Sequence, residues 1–366
     1  MKLQLFFVIN ALTAGGAERV VTNLGNYFSK KGFRVTIVCL NYSTPVYRLE
    51  EGVEVIYLTK RNNNDNVLFR LWFGIITFFK LLYLLIKEKP GCVISFMTSA
   101  NLWTGLTCCL TGIPFIVSER TTPDHTINRF NFFLKWISFM LYRKSKAIVI
   151  PAKAMENCLK KNKSFRKLNN FSLIKNYVNV FNPPGSQRVH HRKFILGVGR
   201  LSYEKGFDQL IEAYSKMQKR DIDLIIAGDG NERENLMAKI AELDLSDHVV
   251  LIGAKENLQD YYGQAELFVL PSRNEGYPNA LIEAMSMGCP SIAMDCEFGP
   301  SEIIENGLNG VLVEDKNILM LAESMSEVLN NALLKGKLSE SAKLINQTNS
   351  QEVITSKWEK LILSAQ

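Results

Sequence analysis

Asn274-Glu275-Gly276-Tyr277-Pro278-Asn279-Ala280-Leu281-Ile282-Glu283 carries two glutamates eight positions apart, one on a loop and one a turn into a helix. Pro278, with its fixed φ and no N–H, suits the first helical position, so the amides of Asn279, Ala280 and Leu281 would open the helix toward an anion. Gly276 keeps that approach clear. Glu283 is placed to accept hydrogen bonds from both hydroxyls of a ribose, and Glu275 from those of a sugar. A second stretch, Gly199-Arg200-Leu201-Ser202-Tyr203-Glu204-Lys205-Gly206, follows an apolar run of strand length and supplies Arg200 and Lys205. A planar guanidinium and a mobile ammonium would neutralise a diphosphate between the two rings. Together these residues read as a nucleotide-sugar site; a surface pair near Glu204 would explain Arg200 and Lys205 without a ligand, but their place between a strand end and a following helix favours phosphate contact.

Outward from these stretches, apolar runs alternate with helical segments in both halves, the pattern of parallel sheets covered by helices on both faces. The expected strands of the first half are Leu3 to Asn10, Arg34 to Leu40, Val53 to Leu58, Cys92 to Phe96, Pro114 to Ser118 and Ala147 to Pro151. Those of the second are Phe194 to Arg200, Asp223 to Gly228, Val249 to Gly253, Leu267 to Pro271, Pro290 to Asp295 and Gly310 to Val313. Ligands of open α/β sheets bind beyond the carboxyl ends of strands, where Gly15, Gly16, Arg200 and Glu275 all fall. Gly15 and Gly16 would bring backbone amides to a diphosphate or an acceptor. A turn and helix start would explain the pair without a ligand, and Glu18 equally serves as first-turn capping chemistry. Asn182-Pro183-Pro184-Gly185-Ser186-Gln187 has linker composition. The expected organisation is therefore an acceptor- and membrane-facing domain at 1–185, a nucleotide-sugar-binding domain at 186–350, and a closing amphipathic helix with Trp358 at 351–366.

The net charge of +7 hides a division. Residues 1–185 hold 25 Lys and Arg against 9 Asp and Glu, a net +16, and residues 186–366 hold 18 against 27, a net −9. A basic half of this kind meets a membrane surface or nucleic acid, and charge alone does not choose. The stretch from Val67 to Lys87 is the most apolar of the chain, but Arg70 and Lys80 interrupt it, leaving uncharged runs below the ~20 residues a bilayer needs. Asn128 to Lys146 repeats that mixture, with Phe130, Phe132, Phe133, Trp136 and Phe139 among five basic residues. Core helices would explain either one singly; two in the basic half are read as peripheral attachment to an anionic membrane.

Seven cysteines without paired spacing are expected to be reduced and buried, and the short apolar start reads as a core strand rather than a signal peptide, which places the protein in the cytoplasm. Asp221-Ile222-Asp223 precedes a strand, at the wrong end for a ligand, and His125, His190, His191 and His248 have no ligand spacing, so all are taken as structural or surface residues. No metal and no cofactor are expected. Ser118-Glu119-Arg120-Thr121 follows a strand of the first half; Glu119 or Arg120 would contact the acceptor or the donor sugar, or simply cap a loop.

The Glu, seven residues, Glu pattern at Glu275 and Glu283 resembles the retaining glycosyltransferases of the GT-B fold, family four. So do Gly15-Gly16-Ala17-Glu18-Arg19, Ala227-Gly228-Asp229-Gly230 and Val269-Leu270-Pro271-Ser272, in order along nearly the whole chain. The resemblance implies two Rossmann-like, doubly wound α/β domains facing across a cleft. It also implies that Arg200 and Lys205 bind the donor diphosphate, Glu283 the ribose and Glu275 the donor sugar, with configuration retained. Relatives carry a His where Arg120 stands, which leaves the acceptor side open. The expected reaction moves a hexose or N-acetylhexosamine, from UDP before GDP, to a lipid-diphosphate-linked glycan in O-antigen, capsule, exopolysaccharide or lipid-linked oligosaccharide synthesis. The alternatives are a soluble transferase or epimerase with a small acceptor, or a nucleic-acid-binding protein; the last lacks a reading motif and leaves both glutamates without a task. An NAD-dependent oxidoreductase is weaker still, because Gly197-Val198-Gly199 does not complete a dinucleotide fingerprint.

Overall fold

A computed structural model describes residues 3–13, 15–60, 67–179, 181, 183–217 and 221–365. Met1 and Lys2 ahead of the first strand, Asn182 at the head of the expected linker, and the side chain of Arg70 lie outside the described residues. The chain divides into two compact units, Met1–Asn176 with Ile354–Gln366, and Tyr177–Val353.

Unit 1 contains strands β1 (Gln4–Ile9), β2 (Arg34–Asn41), β3 (Val53–Thr59), β4 (Cys92–Phe96), β5 (Phe115–Ser118), β6 (Ala147–Ile150) and β7 (Phe171–Leu173). Its helices are α1 (Gly16–Lys30), α2 (Val67–Glu88), α3 (Thr98–Thr111), α4 (Phe132–Lys144) and α5 (Lys153–Lys160). Unit 2 contains β8 (Phe194–Val198), β9 (Asp223–Ala227), β10 (Val249–Gly253), β11 (Leu267–Leu270), β12 (Ser291–Asp295) and β13 (Val311–Glu314). Around them lie α6 (Phe207–Ser215), α7 (Arg233–Glu242), α8 (Leu258–Gln264), α9 (Asn279–Ser286), α10 (Ile318–Asn330), α11 (Ala332–Ala342) and α12 (Ile345–Thr348), and α13 (Gln351–Ser364) ends the chain. The sheets run β3-β2-β1-β4-β5-β6-β7 and β10-β9-β8-β11-β12-β13. Every strand pair is parallel. Both units are therefore Rossmann-like α/β folds, and each reverses its winding once, at β1/β4 and at β8/β11, where such sheets place ligands.

The twelve expected strands form, with ends moved by a residue or two; β7 is additional, a short edge strand. Their continuous apolar runs are buried because helices cover both faces. In unit 1 the core is aromatic: Phe7 packs on Phe28 and Phe96 at ring-centroid distances of 6.1 and 6.2 Å, and Phe96 meets the fully buried Trp358 of α13 at 5.9 Å. In unit 2 Ile195, Leu210, Ile226, Val269, Met294 and Leu321 form an aliphatic core.

No helix among the described residues is long and apolar enough to cross a membrane. α2 buries Thr77, Leu81 and Leu85, while Trp72, Ile75, Phe79, Tyr83 and Ile86 line an exposed stripe. Lys80, which interrupts the apolar run, donates to the Leu58 carbonyl at 2.7 Å. The second basic aromatic segment is a helix only from Phe132, where Asn131 accepts from Leu134 N; 3-10 turns at Pro123–His125 and Ile127–Arg129 precede it. Phe132, Phe133 and Trp136 are exposed, but Phe139 is buried.

Two loops of unit 2 are fastened together at the β8/β11 reversal. After β8 the chain makes a 3-10 turn, Tyr203–Lys205, closed by Gly206 at φ +66°. A Cβ at Gly206 would stand 2.1 Å from the Pro271 carbonyl oxygen, so only glycine allows this approach. Arg273 secures the other side. Its amide donates to the Glu204 carbonyl at 2.8 Å, and its guanidinium donates to the Tyr203 carbonyl, forks onto Asp208 at 2.7 and 2.6 Å, and lies over the Tyr203 ring at 4.2 Å. Burial alone would raise the Asp208 carboxyl, but the hydrogen bonds and charge of Arg273 hold it below the ordinary aspartate range.

A depressed carboxyl contributes stability that is present above its unfolded value and is lost as pH falls through the folded one. Arg273→Ala should therefore cost about 1 kcal/mol at pH 7, given the partial exposure of the pair, and progressively less below about pH 4. Urea unfolding at both pH values checks this, and an undiminished cost at pH 3 would contradict it. Gly206→Ala should cost roughly 2–4 kcal/mol in the same assay, from left-handed strain and the backbone clash.

Candidate functional site

Glu275 emerges from the loop after β11 and is 8 % exposed. Its Oε1 accepts from Lys205 Nζ at 2.6 Å and from the Ser272 hydroxyl at 2.7 Å. The structure therefore joins two groups that sequence reasoning had separated, the ammonium assigned to phosphate and the carboxylate assigned to the sugar. Arg200 stands exposed at the carboxyl end of β8. The Leu201 amide beside it donates to the Asp229 carbonyl at 2.9 Å. That loop approaches so closely that a Cβ on Gly228 would stand 1.8 Å from the Gly199 oxygen, which accounts for the glycine in Ala227-Gly228-Asp229-Gly230.

Pro278 occupies the cap position of α9, not its first helical position, because its ψ of 106° is extended. Helical bonding begins with Ile282 N to the Pro278 carbonyl at 3.3 Å, so Asn279, Ala280 and Leu281 still precede the first helical bond, as expected. Gly276 is half-buried beside them. Glu283, in the second turn, is 2 % exposed and accepts from Asn179 Nδ2 at 2.9 Å and from the Tyr262 hydroxyl at 3.2 Å. Sequence reading missed Asn179 and Tyr262 because they lie 104 and 21 positions from Glu283, with no local signal. Ser272 was quoted without a role and Arg273 was passed over; both adjoin Glu275, and that adjacency was the available clue.

In unit 1, Gly15 caps α1 with an extended φ of −155° and Gly16 opens the helix. The Glu18 side chain folds back over this turn, within 2.2 Å of where a Gly15 Cβ would lie. Glu119 points into the core of unit 1. It is fully buried and accepts from Thr98 and Asn101 at 2.9 Å each and, through a short contact, from the Tyr142 hydroxyl. Burial raises its carboxyl against the lowering effect of those bonds, and burial together with the Glu119 charge raises the Tyr142 phenol. The side chain thus turns into the core, where it braces β5 against α3 and α4, and not outward past the strand end as expected. Arg120 differs from its neighbour. It donates to the Ser118 hydroxyl and to Asn176, lies over Phe96 and Trp358 at 5.6 and 5.8 Å, and burial brings its guanidinium down to about 9. One of its Nη nitrogens is buried without a hydrogen-bond partner among the described residues, a donor that a binding site could use.

Asp221 is exposed and Asp223 is buried at the amino end of β9, so the two do not form a paired carboxylate site. His190 and His248 are not idle surface residues, since both contact Asp223. None of the seven cysteines is in a disulfide; six are buried and Cys109, against expectation, is half-buried, and burial lifts the thiols of Cys39, Cys92, Cys289 and Cys296 to about 12.

A family model described as Glycosyltransferase Family 4 matches residues 14–181, and one described as Glycosyl transferases group 1 matches residues 181–345. An uncharacterized glycosyltransferase of Haemophilus influenzae is 29 % identical over 99 % of this chain and 100 % of its own length. The N-acetylgalactosamine-N,N'-diacetylbacillosaminyl-diphospho-undecaprenol 4-alpha-N-acetylgalactosaminyltransferase of Campylobacter jejuni is 29 % identical over 93 % of this chain and 94 % of its own. Among solved structures, Anabaena Alr3699/HepE in complex with UDP superposes with a TM-score of 0.83 at 16 % identity, covering 99 % of this chain and 100 % of that one. With each half matched by a glycosyltransferase family and both sheets built as that fold requires, the chain belongs to the family-four glycosyltransferases of the GT-B fold.

Proposed function

We propose that this glycosyltransferase moves a hexose or N-acetylhexosamine, with retention of configuration, from a UDP sugar to a lipid-diphosphate-linked glycan in bacterial surface polysaccharide synthesis. The observation that carries the reading is the Lys205–Glu275 pair beside the opening of α9 and Glu283, at the winding reversal of unit 2. Glu283 takes the ribose hydroxyls, and Arg200, Lys205 and the amides of Asn279, Ala280 and Leu281 take the diphosphate. Glu275, held by Lys205 and Ser272, takes the donor sugar. Gly15 and Gly16, after β1 of unit 1, are assigned to binding the diphosphate or the acceptor through backbone amides, and Arg120 to the acceptor.

In the transfer step the bond from the anomeric carbon to the diphosphate breaks and a bond to the acceptor oxygen forms on the same face. The acceptor proton passes to the leaving phosphate oxygen. Charge builds on that phosphate, and fixed cations with helix amides stabilise it without a divalent metal. UDP as carrier accords with the UDP bound by the Anabaena protein, and the lipid-linked acceptor with the substrate named for the Campylobacter enzyme. The exposed aromatics of α2 and α4, in a half of net charge +16, fit attachment to an anionic membrane at its cytoplasmic face.

Lys205→Ala and Glu275→Ala should each lower transfer by about 100-fold or more, assayed with a panel of UDP sugars and an undecaprenyl-diphosphate glycan, while circular dichroism shows a retained fold. Full activity in both variants would refute the assignment. The protein should also sediment with anionic vesicles, and a Phe132→Ser, Trp136→Ser variant should lose most of that binding. Wild-type protein left in the supernatant would instead favour a small soluble acceptor.

A further inference from the structure

At the amino end of the unit 2 sheet, three neighbouring strand starts bring together residues far apart in the chain. His190 and His191 lead into β8, Asp223 opens β9, and His248 immediately precedes β10; these strands lie side by side. The Asp223 carboxylate is 2 % exposed, with His190 Nε2 at 2.7 Å from its Oδ2 and His248 Nδ1 at 3.2 Å from its Oδ1. Ligand atoms of His190, His191 and Asp223 all lie within 4.8 Å of one another, and the two imidazole rings are 4.4 Å apart.

We propose that His190, His191 and Asp223 form a binding site for a borderline divalent metal such as Zn²⁺, which His248, outside that close group and 3.2 Å from the other Asp223 oxygen, completes as fourth ligand by moving inward. Imidazoles with one carboxylate are the donor set that Zn²⁺ takes in tetrahedral sites, with bonds near ~2.1 Å and ligand atoms therefore roughly 3.4 Å apart. The cluster must contract to reach that geometry, and the exposed His191 is, with His248, a ligand able to move. Arg192 approaches Asp223 Oδ1 at 3.5 Å, but its side chain is half exposed and can leave. The bound ion would staple the segment entering unit 2 to the starts of β9 and β10. It would sit a strand length, roughly 13 Å, from the donor residues at the carboxyl ends, so its role is structural and independent of transfer.

Chelator-treated full-length protein, given Zn²⁺ and gel-filtered, should retain one equivalent. Its thermal midpoint should rise by roughly 5–10 °C with Zn²⁺ at a hundredfold over the dissociation constant. His191→Ala, which alters an exposed residue and leaves the fold intact, and His248→Gln should each weaken binding at least tenfold. His125→Ala, outside the cluster, should leave it unchanged. Less than one equivalent retained by the wild type, or equal zinc affinity in wild type and both cluster variants, would overturn the proposal.

Discussion

A lysine and a glutamate, partly shielded from water and 2.6 Å apart, join the two loops at the winding reversal of unit 2. Such a pair gains little stability, because desolvating both charges roughly cancels their attraction. Its geometry is nevertheless heavily supported. Ser272 donates to the same carboxylate oxygen, Gly206 lets the lysine loop press on Pro271, and Arg273 ties that loop down through Glu204, Tyr203 and Asp208. Under the proposed function, a fixed cation beside a fixed acceptor would cost no reorganisation when charge moves to a leaving phosphate.

The topology explains why this pair sits where it does. Each sheet reverses its winding once, and the residues leaving neighbouring strands at that point diverge to opposite faces and leave a crevice at the strand ends. Arg200 and Lys205 follow β8, and Ser272 to Glu275 follow β11, the two strands of the reversal. In unit 1 the corresponding positions hold Gly15 and Gly16 after β1, while Arg120 follows β5, one strand further out.

What was legible in the sequence followed from local physics. Apolar runs that must be covered on both faces gave twelve strands, and glycine and proline positions gave the turns and the start of α9. Glu275, Glu283, Arg200 and Lys205 stood out because they fall just past strand ends. The misreadings concern direction and distance. Glu119 and Arg120 are adjacent and follow the same strand, yet one turns inward to Tyr142 and the other lies over Trp358, and no spacing rule separates them. Pro278 is the cap and not the first helical residue, because its ψ of 106° is extended. Asn179, Tyr262 and the grouping of His190, His191 and His248 around Asp223 depend on long-range packing that no local pattern encodes.

Hydrogen exchange of the full chain with and without saturating UDP tests the central claim most directly. UDP should slow exchange at the amides of Asn279, Ala280 and Leu281 and in the Gly199–Gly206 loop, and leave the start of β9 at Asp223 unchanged. Protection confined to other parts of the chain, with those amides exchanging as before, would contradict the account.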